Sequence, residues 1–376
     1  MAEFIRADKS LKADVLDFIN YVFSHAHCPH DFKTLIPKVY RDEKEAFNGI
    51  HYAAVEEGKI RAVITNLLME EQVGGQTITY GMIGNVSVHP YARGKGYMKA
   101  LMKMVKEDAQ KDGADVLVLG GQRQRYQYFG FEPVGVRYRF QITKTNIRHC
   151  MKQTDCSAIT FEKMEDPDAP ELAAAKALYE KRPAHGIRPL DEFLFIMRNW
   201  ASDLYIIRKA GEMIGYLYGN ARELVLEKEA DLAAVLKAWT EQKGVAEMNL
   251  TAYAFEKERI SYLSTVCEGM SVEYVEQVCV LNWKKVLQAM LALKNEYEPL
   301  QDGETTVGIE GEAFRICVTD GAVSVEKMEG ADTDHSNLTV NEAQMLLFGM
   351  QNLLNPKKEF KNWLPIPFFV DAPDEF

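Results

Sequence analysis

Residues 51–72, "HYAAVEEGKIRAVITNLLMEEQ", place apolar residues in two runs around a Glu-Glu-Gly-Lys turn, which predicts a β-hairpin. "YGMIGNVSVH" reads as the next strand. From Tyr97 the period changes: Tyr97, Leu101, Met104, Val105 and Ala109 fall on one face of a helix, which Gly113 stops. A buried strand over Val116–Leu119 follows, then a short helix in "RQRYQYFGFEPVG" that runs into Gly130, and a last strand through "VRYRFQIT".

A similar order then recurs. "LYIIRKAGEMIGYLYG" echoes the first hairpin and is followed by a helix from Asp231 to Gln242, Gly244 and the strand "AEMNLTAY", a degenerate internal duplication. A third region opens with a helix from Trp283 to Leu293. It continues with short strands around "TTVGIEG", "AFRICVTDG" and "AVSVEKM", and a helix near Asn341 to Leu347 with Thr339 and Glu342 spaced as a capping box. "NWLPIPFFVDAPDEF" follows, and its Trp363, Phe368, Phe369 and Phe376 make it too apolar for a solvated extension. We expect it docked on the protein in an extended path. The fold class is α+β, a mixed α/β chain.

At 376 residues, 47% hydrophobic and 26% charged, the chain suits a soluble protein of two or three domains. No apolar run is long enough for a membrane span, and "MAEFIRADKSLKADVLDF" is acidic where a secretion signal is basic, so a cytoplasmic protein is expected. Cys28, Cys150, Cys156, Cys267, Cys279 and Cys317 lie far apart without a C-x-x-C pair, which favours reduced packing thiols over disulfides or a zinc knuckle. A net charge of -11 argues against nucleic-acid binding and favours a cationic small substrate. His25, His27, Cys28 and His30 cluster in "SHAHCPH", but alternate histidines on a loop rarely converge on one ion. No metal is expected, and the segment is assigned to substrate access.

The densest chemistry lies in "NVSVHPYARGKGYM", Asn85 to Met98. A P-loop needs Ser or Thr after Gly94-Lys95, where Gly96 stands. A dinucleotide fingerprint needs a third glycine where Lys99 stands, and an acid at the far end of the next strand, whereas Asp115 lies at its beginning. What remains is a glycine-opened helix start whose free N–H groups wrap a pyrophosphate without metal, aided by Arg93 and Lys95. The alternative is a plain tight turn. The corresponding "LVLEKEAD" of the second copy has no glycine and an excess of acid, so one anion site per chain is expected.

"V-x-P-x-x-R-G-x-G" after a strand, then a helix, a strand and "Y-x-x-F-G-F-x-P", resembles the GCN5-related N-acetyltransferase (GNAT) superfamily over residues 1 to about 145. The resemblance implies that Val86 and Val88 pair with the pantetheine arm of acetyl-CoA. It also implies that Arg93, Gly94, Lys95, Gly96, Tyr97 and Met98 cradle the pyrophosphate, and that Tyr126 reaches the coenzyme sulfur. Tyr91 stands where the family often has Gln or Arg. Tyr128 serves as the control for Tyr126, expected to act only in aromatic packing.

The whole layout resembles the enhanced intracellular survival (Eis) family, most specifically at "RGKGYM", "YQYFGF" and the final "EF". That resemblance implies two tandem GNAT-like domains, a catalytic one (1–150) and a degenerate one without the coenzyme turn (151–282), plus a sterol-carrier-protein-like α+β domain with an active-site tail (283–376). It assigns a catalytic base to the Phe376 carboxylate; Glu375 and Asp31 are candidate carboxylates for a polyamine-like acceptor, the alternative being that both are solvated surface acids. It further implies trimers or hexamers. The function expected is acetyl-CoA-dependent transfer of acetyl to a primary amine (an aminoglycoside, polyamine or lysine-like acceptor) in a ternary complex. The alternative is a coenzyme A sensor or lipid carrier without turnover, although charges interrupting "DGETTVGIEGE" argue against a large lipid tunnel.

Overall fold

A computed structural model describes residues 2–42, 49–328 and 337–376. The first region contains β1 (Glu3–Arg6), β2 (His51–Glu56), β3 (Lys59–Val73), β4 (Gln76–Val88), β5 (Val116–Leu119), β6 (Glu132–Val134) and β7 (Arg137–Thr143). The second adds β8 (Ile159–Lys163), β9 (Ala184–Gly186), β10 (Leu204–Lys209), β11 (Glu212–Tyr218), β12 (Glu223–Leu226), β13 (Glu247–Tyr253), β14 (Gly269–Glu273) and β15 (Glu276–Val280). The third holds β16 (Gly303–Ile309), β17 (Glu312–Thr319), β18 (Ala322–Met328) and β19 (Asn337–Leu338).

Local signals place these elements well. The helix Tyr97–Lys111 buries Tyr97, Leu101, Met102, Val105 and Ala109, one face at helical spacing, and Gly96 opens it with φ +79°. The expected capping box is formed: Thr339 and Glu342 exchange side-chain and backbone hydrogen bonds at the start of the helix Val340–Phe348.

Sheet membership, however, does not follow chain order. The main sheet runs β1-β2-β3-β4-β5-β15-β6, with β9 added beside β3. Thus β15 of the second region inserts between β5 and β6 of the first. In return β7 leaves the first region and pairs with β13 and β14. Two strands are therefore exchanged across the expected boundary at residue 150, which β9 also crosses to join β3. Separate sheets order β12-β11-β10-β8 and β18-β17-β16-β19.

Within the main sheet β4 and β5 form a parallel pair, and the helix Tyr97–Lys111 supplies the crossover that such a pair needs. Pairing runs only from Tyr80–Val116 to Met82–Val118. Beyond it β4 continues to Val88 bonded to β3 alone. The two strands diverge, leaving one edge of residues 83–88 without a strand partner among the described residues. A bulge reinforces the divergence: Val63 pairs with Ser87 but Thr65 with Gly84, so β4 takes one residue more than β3, and Asn85 adopts φ +49°. The bulge is held by the Tyr40 hydroxyl, which donates to Asn85 Oδ1 at 2.8 Å. Beside it lies buried His51, 2.8 Å from Thr65 and pushed by burial to a pKa of about 3, so it is neutral.

The final segment is docked as its composition predicts. Trp363, Ile366, Phe368, Phe369 and Val370 are buried in one core with Leu287, Met290, Leu291 and Phe314 of the third region. Phe368 also stacks on Tyr80 of the first region at 5.4 Å. Each such aromatic contributes roughly 1.5–3 kcal/mol by burial. Among the described residues no helix is long and apolar enough to cross a membrane. All six cysteines are free, and only Cys279 is buried, so the expected packing role fits it best.

Candidate active site

A cavity of about 650 Å³ lies where β4 and β5 part. Its walls include Gly84 to Val88 of the free β4 edge, Arg93 and Met98 of the turn, Gly120, Tyr126, His27 and Phe376. A second cavity of about 370 Å³ adjoins it and shares Ile83, Gly120, Trp200 and Phe376. It adds Arg222, Glu276 and Glu375.

The turn has the form an anion site requires. Gly94 and Gly96 have φ +81° and +79°, conformations that favour glycine, and open space surrounds both. Arg93 is exposed and forms no ion pair among the described residues. Lys95 instead reaches Glu56, at 2.8 and 3.2 Å, and does not line the cavity. Tyr97 turns its ring into the core against Phe4, so the free N–H groups of the helix start are what this residue and its neighbours offer a ligand.

Tyr126 ends the short helix Arg123–Tyr126, buried against Phe131. Gly121 makes room for it: at φ +125°, a Cβ there would lie 3.0 Å from the tyrosine ring. Burial pushes the phenol up, so it is a neutral donor at physiological pH. Tyr128 corrects its expectation as a packing control. It is 71% exposed and its hydroxyl accepts a bond from Lys99 at 2.9 Å.

Phe376 lies directly over Gly84, where an added Cβ would come within 1.7 Å of the ring. The preceding backbone is clamped by Lys38, whose ammonium donates to the carbonyls of Pro373, Asp374 and Glu375 at 3.1, 2.8 and 2.6 Å. Burial lowers that lysine to about 8. Asn199 adds a bond to the Glu375 carbonyl at 2.8 Å.

The Glu375 side chain faces the smaller cavity and pairs with Arg222 at 3.2 Å and Arg137 at 3.6 Å. Burial still raises its pKa, against the pull of both arginines. Asp31 lines neither cavity. It caps the helix Phe32–Leu35, accepting from Lys33 N at 3.2 Å and Thr34 Oγ1 at 2.7 Å. In the histidine loop the His27 and His30 rings are tilted to each other with centroids 6.3 Å apart, and His30 Nδ1 lies 2.6 Å from the Cys28 carbonyl.

Glu276, Trp200, Arg222 and Lys38 were not marked by any local motif. They reach the site from distant parts of the chain, and no spacing rule connects them to Tyr126.

These features define a GNAT-type acetyltransferase fold: a parallel strand pair that splays where one strand bulges, followed by a glycine-opened helix. The profile of a family described as "Acetyltransferase (GNAT) domain" matches residues 3–134. The whole chain is also similar to solved structures. A GCN5-related N-acetyltransferase from Anabaena variabilis ATCC 29413 is 15% identical over 100% of both chains, with a TM-score of 0.67. One from Kribbella flavida is 15% identical over 99% of this chain and 98% of the other, also at 0.67. Eis1 from Mycobacterium abscessus is 13% identical over 92% of this chain and 88% of that one, at 0.58. At these identities the likeness establishes the fold. No curated protein matches the sequence.

Proposed function

We propose that the chain is an acetyl-CoA-dependent N-acetyltransferase of the Eis-like type that acts on a primary amine, such as a polyamine, aminoglycoside or lysine-like acceptor. In this reading residues 1–150 form the catalytic domain, 151–282 a degenerate copy and 283–376 a sterol-carrier-like scaffold that delivers the tail. One observation carries the proposal: a single cavity at the splay is lined by the turn residues Arg93 and Met98, by Tyr126 and by Phe376.

The unpartnered edge at Val86 and Val88 offers backbone groups to an extended pantetheine arm. The helix start and Arg93 offer donors to a pyrophosphate. Tyr126 then stands near the thioester. Moving a proton from an ordinary phenol of pKa about 10 to a thiolate whose acid is near 8.5 is uphill by about 2 kcal/mol, and burial of Tyr126 makes it more so, so Tyr126 hydrogen-bonds to the departing thiolate and transfers late. In a chain that ends at Phe376, its α-carboxylate attracts the cationic acceptor, with Glu375 beside it.

The test is thiol release from acetyl-CoA over spermidine, kanamycin and a lysine peptide, comparing a chain ending at Phe376 with one extended by several residues. Activity lost on extension, with coenzyme binding intact, supports the reading. Equal activity in both removes the tail carboxylate from the mechanism. Coenzyme binding without turnover on any amine favours a sensor or carrier.

A further inference from the structure

Glu276 opens β15, the exchanged strand, and the antiparallel register places Gln277 opposite Leu119. Its neighbour across the strand pair is therefore Gly120, at the point where β5 ends and the splay begins. Glu276 Oε2 lies 3.6 Å from the position a Cβ on Gly120 would occupy, and Gly120 lines both cavities. The carboxylate thus stands at their shared wall, in one cavity with Phe376, Trp200 and Glu375.

The charges around it are engaged elsewhere. Arg222 pairs with Glu375, and Arg137 lies 3.6 Å from Glu375 and 3.7 Å from Glu273. Glu276 itself has no ion pair among the described residues; its own β15 supplies a bond from the Gln277 backbone, and β7 and the final segment supply Arg137 and Glu375. A half-buried glutamate without an ion pair and next to a second carboxylate is readily neutralised, and desolvation with Glu375 raises it to about 7 against Arg137.

We propose that Glu276 is the catalytic base that takes the proton from the acceptor ammonium. The proposal deepens the acetyltransferase reading and rests on it. An α-carboxylate near pKa 3.5 is a poor acceptor for an ammonium near 10, whereas a group titrating close to the working pH both holds the proton and releases it. The ammonium N–H bond breaks and its proton passes to the Glu276 carboxylate. The neutral nitrogen then forms the C–N bond while the thioester C–S bond breaks. The second nitrogen proton goes to sulfur through the Tyr126 hydroxyl, and Glu276 releases its proton to solvent. The products are amide, thiol and one proton.

The experiment is the pH profile of kcat/KM for thiol release between pH 5.5 and 9.5, on the full chain with the amine of the panel turned over fastest, for wild type, Glu276→Gln and Glu276→Asp. Thermal unfolding and acetyl-CoA affinity by calorimetry confirm that each variant folds and binds coenzyme. The expected result is an acid limb near pH 7 in wild type and a loss of about a hundredfold or more in the glutamine variant at pH 7. That deficit should shrink as the pH approaches the amine's own pKa, and the aspartate variant should retain part of the activity and the limb. An unchanged limb in Glu276→Gln, or a deficit constant at every pH, overturns the proposal while leaving the acetyltransferase reading intact. No turnover on any amine by wild type overturns both.

Discussion

The guanidinium of Arg188 grips the carboxylate of Asp374, with Nη2 2.7 Å and Nε 3.1 and 3.2 Å from its oxygens. Both side chains are fully buried. The other face of the fork donates to Glu223 at 2.8 Å twice, and the Tyr179 ring lies 3.8 Å beneath. This one cation ties the final segment to the second region, two residues before the ring that enters the active-site cavity. Replacing Arg188 by Leu leaves two carboxylates buried without their partner. We expect a loss of about 3–5 kcal/mol in urea unfolding, with the acetyl-transfer rate falling in parallel. Asp374→Asn should cost less, because the fork keeps Glu223.

Gly84 and Phe376 are packed too tightly for any side chain at 84. On the proposed function, Gly84→Ala should displace the ring and reduce kcat by at least about tenfold, since a group misplaced at the cavity wall disturbs the reacting geometry. Coenzyme affinity should change little. The double variant Gly84→Ala with Phe376→Ala removes the clash and should regain activity relative to Gly84→Ala alone. Additive losses in that cycle would dissociate the glycine from the ring.

Arg93 and Lys95 lie two residues apart and should separate in their effects. Arg93 has no ion pair to give up, whereas Lys95 is held by Glu56. A charge-assisted hydrogen bond contributes about 1.5–3 kcal/mol, so Arg93→Ala should weaken coenzyme A binding by roughly tenfold to a hundredfold in calorimetry. Lys95→Ala should change it less than threefold or so, on the order of an exposed ion pair's worth.

Glu71 is buried near Asp374 and Asp371, and its Oε2 has no hydrogen-bond partner. Burial and the two aspartates raise its pKa well above the ordinary carboxylate value, which favours the neutral form in the folded protein. The unfolded chain releases this proton from about pH 4.3 upward, while the folded protein retains it. The group's contribution to stability therefore declines as pH rises from there to its folded pKa. Glu71→Gln removes this dependence, and its stability relative to wild type should climb with pH by up to about 1.4 kcal/mol per unit. Urea unfolding at pH 5, 6, 7 and 8 measures it, and a constant difference would mean that Glu71 is ionised when folded.

Legibility in the sequence followed how local each signal was. The helix at Tyr97, the strand Val116–Leu119 and the capping box at Thr339 were readable because their hydrogen bonds or apolar faces lie within a few residues. The glycine-opened turn was readable for the same reason, and so was the apolar character of the final segment. Lys95 was assigned as part of the turn motif and Asp31 as an acid for a cationic acceptor, but a charge in sequence does not reveal the neighbour that will claim it. Asp31 became a helix cap, and Lys95 a partner for Glu56.

The exchange of β7 and β15 was not legible, because strand propensity describes a strand and not the sheet it joins. Backbone pairing is chemically identical in either sheet, so only the packing of the regions together selects the partner. That selection brings Glu276 beside Gly120, and the final segment brings Phe376 over Gly84. The glycine-opened turn could be read from the chain alone, because free N–H groups and positive φ need only consecutive residues. Tertiary structure alone decided which carboxylates face the cavity, because burial and the distance to another charge depend on atoms hundreds of residues away.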